Sequence, residues 1–181
     1  MSERRVVITG LGPVTPIGIG AGAFWNALLE GRNGVARTQA FDPAGFDSQV
    51  AAEVTGLNVA DYVPKRYRKS ARIMARDIEL AVAAAHLAIT DAGIVTKSLI
   101  DRGDAEGEPN VDPTRMGANI GAGTICADLA ELSEALASAV DGGKFCLKRW
   151  GAEGMQNLTP LWLLKFLPNM LACHVTIVHD C

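Results

Sequence analysis

Four cysteines and three histidines are the side chains in this sequence best suited to nucleophilic or acid–base chemistry near neutral pH. They are Cys126, Cys146, Cys173 and Cys181, with His86, His174 and His179. A cysteine attacks as its thiolate, and a thiolate forms near neutral pH only beside a helix N-terminus or a neighbouring cation. Cys181 directly follows His179 and Asp180 and is the first candidate on residue types alone. The cysteines form no C-x-x-C pair and no metal-ligand spacing, so neither a zinc nor a disulfide framework is expected, and no metal or cofactor is assigned. His86 stands alone in a helical pattern, where a packed ring is the ordinary role.

The elements that would position such groups begin just behind the start. Val6, Val7, Ile8 and Thr9 form a short β-branched run without polar alternation, which predicts a strand buried on both faces. Gly10, Gly12 and Gly18, with Pro13 and Pro16 between them, then let the backbone turn and approach other segments closely. A dinucleotide fingerprint is excluded. Thr15 occupies the third glycine position, Pro13 interrupts the turn, and no second strand ends in an acidic residue at the required distance.

Further along, Phe24, Trp25, Leu28 and Leu29 predict a short helix with an apolar stripe, stopped at Gly31. Turn formers fill residues 41–47, and a short strand is expected over residues 50–54. Ile78, Val82, Ala85, Ile89 and Ala92 share one helical face, and the alanines at 81, 83, 84 and 85 make that helix slim enough to pack closely. Residues 96–115 read as a surface loop. Residues 116–123 predict a second buried strand ending in a glycine turn. Leu129, Leu132, Leu136 and Val140 mark the expected buried side of a helix ended by Gly142 and Gly143. Residues 158–178 are strongly apolar, but Lys165, Asn169 and His174 interrupt them and Pro160 and Pro168 would break a single span. Two shorter helices are expected, one capped by Thr159 with Pro160 behind it, the other started by Pro168.

Composition excludes little else. With 49% hydrophobic and 20% charged residues and a net charge of -3, nothing draws the chain as a whole toward nucleic acid or membrane. The first residues carry no apolar signal core, so a cytoplasmic location is expected. One basic cluster stands out, Lys65, Arg66, Arg68 and Lys69, with Arg72 and Arg76 behind it. Such a run is ordinarily a solvated helix face.

The opening phrase, residues 5–18, resembles the start of the β-ketoacyl-acyl-carrier-protein synthases, the condensing enzymes of fatty acid and polyketide synthesis. Residues 115–123 are similar to that family's R-x-G-x-x-x-G-x-G element, and Asn169-Met170-Leu171-Ala172-Cys173-His174 to its Asn-Met followed by Ala-x-His. The resemblance implies an α/β, thiolase-like fold of five αβαβα layers, of which residues 1–181 would supply one domain, an incomplete N-terminal half with a mixed sheet and covering helices. It implies decarboxylative Claisen condensation of an acyl-enzyme with malonyl-carrier protein, no cofactor, and a homodimer or heterodimer. The basic cluster Lys65, Arg66, Arg68 and Lys69 matches the family's docking patch for the acidic acyl carrier protein, although Ser70 and Ala71 stand where relatives often have Met-Asp. Leu161, Trp162, Asn169 and Met170 match positions that line the acyl pocket or the dimer interface.

The same resemblance denies Cys181 the nucleophile's role. The family's cysteine follows a Gly-Pro turn and a strand and opens a helix, whereas Cys181 stands before that turn. The family's catalytic histidines lie in H-G-T and G-H motifs, and neither motif occurs here. The expectation is a chain ending before its nucleophile strand and inactive by itself, with apolar faces exposed. A non-catalytic partner of the chain-length-factor kind is the alternative.

Overall fold

The computed structural model describes residues 5–123 and 127–181. In chain order it contains the hairpin β1 (Val14–Thr15) and β2 (Gly18–Ile19), helix α1 (Ala21–Leu29), and strands β3 (Val35–Arg37) and β4 (Val50–Ala52). Helices α2 (Arg68–Ala71), α3 (Arg76–Asp91), α4 (Lys97–Arg102) and α5 (Leu129–Ser138) follow. The hairpin β5 (Val140–Asp141) and β6 (Lys144–Phe145) then leads to α6 (Leu147–Ala152), α7 (Trp162–Lys165) and α8 (Met170–His179). All three strand pairs among the described residues are antiparallel and two-stranded.

The core lies where α3 meets α8. Ile78 and Val82 of α3 are fully buried, and with Leu171, Val175 and Val178 of α8 they join Val59, Val63, Ala71 and Met74 in one apolar cluster. Burying each such large side chain contributes about 1.5–3 kcal/mol. Of the expected face of α3, Ile78, Val82 and Ile89 are buried while Ala85 and Ala92 are half-buried, and the buried face turns to take in Ala83 and His86.

The glycine turn packs as its residue types require. Gly10 and Gly12 lie on the backbone of α3: a Cβ on Gly10 would stand 2.6 Å from the Ala92 nitrogen, and one on Gly12 the same distance from the Ala88 nitrogen. Asp91, at the end of α3, accepts the Leu11 N–H at 2.8 Å. Only glycine allows this approach, because any side chain would overlap main-chain atoms that cannot rotate away.

Several expectations are corrected. Residues 6–9 are not a buried strand; Val6, Val7 and Ile8 are 96%, 71% and 83% exposed, because no strand among the described residues pairs with or covers them. Residues 116–121 also join no sheet, yet their burial alternates with period two. Ala118 and Ile120 pack on the core cluster while Gly117, Asn119 and Gly121 face out. The stripe of α1 is largely exposed, with Ala27 its buried residue. The stretch read as a loop contains α4, whose Leu99 and Ser98 are buried. On α5 the buried residue is Ala135, not the leucines, since small side chains permit the close approach of the following 3-10 turn (Gly154–Asn157). Gly142 and Gly143 form a hairpin loop, with φ of 55° and 78°, which two-residue turns between antiparallel strands demand. The cap of α7 is Leu161 rather than Thr159.

Candidate functional site

Three groups of residues bear on function. The first is the basic cluster. Buried Val63 and Pro64 lead into a 3-10 turn (Lys65–Tyr67) that runs directly into α2, whose Ala71 packs into the core. This anchors the cations at the surface. Arg66 pairs with Asp101 at 2.7 Å and its guanidinium lies 4.8 Å above the Tyr67 ring. Lys65, Arg68, Lys69 and Arg72 are exposed, and among the described residues no carboxylate stands within 4.0 Å of them. The result is a cationic face on a buried base, able to attract an acidic surface.

The second group is dispersed. Leu161 is exposed in the left-handed region, with φ 63° and ψ 13°. Trp162 is half-buried against Phe166, ring centroids 4.9 Å apart, and its buried indole nitrogen finds no partner among the described residues. Asn169 is exposed beside Cys173, while Met170 packs against the apolar core cluster. The structure packs Met170, the first residue of α8, against the core cluster but leaves Leu161 and Asn169 at the surface.

The third group surrounds the end of α8. His179 is buried, its Nδ1 sharing a hydrogen bond of 3.0 Å with the Thr96 hydroxyl, and burial followed by the charge of His86 lowers its pKa to about 4. Asp180 takes the left-handed conformation with φ 60°, and its carboxylate accepts from Lys97 Nζ at 3.3 Å. Burial, and then the Asp180 carboxylate, push the Cys181 thiol up, away from the thiolate. Cys181 lines a groove of about 500 Å³ whose other walls include Gly12, Ala81, Ala84, Ala85 and Ala88 of α3 and residues 116–121. Cys146 and Cys173 are partly buried free thiols, and Cys126 lies outside the described residues. His174 is buried, its pKa lowered by burial, with no hydrogen bond to its ring among the described residues.

The contact of His179 with Thr96 and His86 has no motif in the sequence. The one legible signal is that His86 stands between Val82 and Ile89 at helical spacing, on the buried face of α3.

The family model for the β-ketoacyl synthase N-terminal domain matches residues 3–181. The chain is 28% identical over 179 residues to the 3-oxoacyl-[acyl-carrier-protein] synthase 2 of Vibrio harveyi, covering 98% of this chain and 36% of that protein. Among solved structures, a β-ketoacyl synthase from Burkholderia phymatum is similar with a TM-score of 0.58 and 28% identity, over 98% of this chain and 37% of the other. The ishigamide ketosynthase/chain length factor shares the fold at a TM-score of 0.63 and 23% identity, over 98% and 37% of the two chains. The chain thus spans about a third of the length of the relatives it matches. Its α/β, thiolase-like architecture and its sequence agree: the chain belongs to the β-ketoacyl synthase family, as that family's N-terminal domain.

Proposed function

We propose that this chain is the N-terminal part of a 3-oxoacyl-[acyl-carrier-protein] synthase, an acyltransferase that elongates acyl chains by decarboxylative condensation of an acyl-enzyme with malonyl-carrier protein. The family match over residues 3–181 carries the reading. In it, residues of the longer protein supply the nucleophilic cysteine and the two catalytic histidines. The chemistry on this chain supports that division. Condensation needs a thiol that ionises near neutral pH and donors aimed at a developing oxyanion. Cys181 is pushed the other way, and His86 and His179 are buried neutral rings packed on each other.

Within this reading Lys65, Arg68 and Lys69 receive the acidic carrier protein, with Arg66 bracing the patch through Asp101. Met170, and with it Trp162, Leu161 and Asn169, lie toward the acyl channel and the subunit interface of a cytoplasmic dimer. No described helix is long and apolar enough to cross a membrane. A second reading, a non-catalytic partner of the chain-length-factor kind, draws on the same upward push on the Cys181 thiol.

The test compares the 181-residue chain with the product of the reading frame continued past Cys181. Each is incubated with acyl- and malonyl-carrier protein, and acyl adducts are located by mass spectrometry. An adduct on a later cysteine, with Cys181→Ala without effect, supports the enzyme. An adduct on Cys181 overturns the division of labour, and no adduct on either product favours the non-catalytic partner.

A further inference from the structure

We infer that His86 and His179 form a pH-sensitive latch, holding the C-terminal turn of α8 against α3 while both rings are neutral and releasing it when they take up protons. The two rings face each other across the helix contact with centroids 6.4 Å apart, and they are 8% and 2% exposed. Each has a buried nitrogen without a partner among the described residues, Nδ1 of His86 and Nε2 of His179. A neutral imidazole can leave one nitrogen as an unused acceptor, but an imidazolium carries a proton on both and needs two acceptors. Neither ring has a second acceptor among the described residues.

Among the described residues the surroundings offer no unpaired counter-charge. Around His86 stand the Tyr62 ring, edge-on at 5.6 Å, and Arg102, which disfavours a second positive charge. The carboxylate that would favour it, Asp104, is already paired with Arg102 at 2.5 Å. Around His179 stand Thr96 and, at the next position, Asp180, whose carboxylate is taken by Lys97. His174 lies on α8 itself and is also buried. Two imidazolium rings at this separation repel each other as well as lacking hydration, so proton uptake favours separation. The part that gives way is the end of α8, since α3 is held along its length by the core and by the glycine turn, while α8 stops at a left-handed residue. The pKa of His179, lowered to about 4, and that of His86, lowered in the same direction, follow from this packing. The inference concerns this domain's own packing and does not rest on the proposed activity.

Hydrogen exchange by mass spectrometry on the 181-residue chain, at pH 7.5 and 5.0 and corrected for intrinsic exchange, reads the latch. Peptides over the C-terminal half of α8 should lose protection about tenfold or more at pH 5.0, and by a larger factor than those over the middle of α3, which follow only the loss of global stability. The double variant His86→Gln, His179→Gln should make α8 insensitive to pH, while His174→Gln should keep the wild-type loss. Equal protection of α8 at both pH values, absence of protection at pH 7.5, or a loss abolished by His174→Gln would each overturn the latch. If the double variant does not fold, ring titration by NMR in the wild type decides. Loss of protection that tracks the protonation of both rings supports the latch, and protonation without loss overturns it.

Discussion

Gly12 rests on the main chain of Ala88: a Cβ at Gly12 would stand 2.6 Å from the Ala88 nitrogen, closer than side-chain carbons come to backbone atoms. At Gly12 the opening segment and α3 therefore meet main chain to main chain. Gly12→Ala must push the two apart, and overpacking of this kind costs about 1–3 kcal/mol. Urea denaturation followed by tryptophan fluorescence should show that loss, while Leu11→Ala, at an exposed neighbour, should change stability by less than about 0.5 kcal/mol. Equal effects of the two substitutions would mean that the contact does not hold the segment.

Stability should fall on acidification between pH 6.5 and 4. His179 binds its proton with a pKa of about 4 in the folded chain against 6.5 for an unperturbed ring. Between those values the unfolded chain holds a proton that the folded chain lacks. Its stabilisation is complete above pH 6.5, declines as pH falls, and is exhausted by about pH 4, a loss of about 3 kcal/mol. His86 and His174, both lowered by burial, act in the same direction. Urea midpoints at several pH values would show the decline, and a flat profile for the wild type would count against buried neutral rings.

Val6, Val7 and Ile8 present an uncovered, β-prone apolar run. Unpaired segments of this kind template association. The 181-residue chain is expected to self-associate at micromolar concentration, and Ile8→Lys should reduce this without lowering stability. Light scattering against concentration gives the answer; a wild-type chain that stays a monodisperse monomer at these concentrations would contradict the expectation.

Lys165 donates to Glu131 at 2.5 Å, and the second carboxylate oxygen of Glu131 is buried without a partner among the described residues. The pair ties α7 to α5. Lys165→Met leaves a half-buried carboxylate unpaired and should cost about 1–3 kcal/mol. Replacing both residues, Lys165→Met with Glu131→Leu, should recover most of that loss, because the charge that needed compensation is gone. A double-mutant cycle measures the coupling, and additive single effects would show the pair to be idle.

How much of this was legible in the sequence differs by element for physical reasons. Helix α3 could be read because Ile78, Val82 and Ile89 repeat at helical spacing and the core cluster honours that spacing. Gly10 and Gly12 could be read as points of close approach, since glycine in such a run has few other uses. The burial of residues 6–9 could not, because a strand is buried by its neighbours and none of the described strands lies beside them. On α5 the leucines misled, since Ala135 fits the space left by the adjacent turn and the larger side chains do not. The basic cluster was visible as composition; which of its cations is already engaged, Arg66 by Asp101, depended on the fold. The meeting of His86 with His179 joins distant parts of the chain and leaves no local trace.

The seam between the opening segment and α3 also behaves as a mechanical index. Gly10 sits against Ala88 and Ala92, and Gly12 against Ala84 and Ala88, so one strip of main chain is keyed to successive turns of the helix. The two glycines meet main-chain atoms that have no rotamer to change, and the Asp91 carboxylate on the Leu11 N–H adds a further tie. A slide of α3 along its axis by one residue, about 1.5 Å, would bring the wrong atoms beneath both glycines. The hairpin that begins at Val14 must then travel with the helix as one body, or the seam must open entirely.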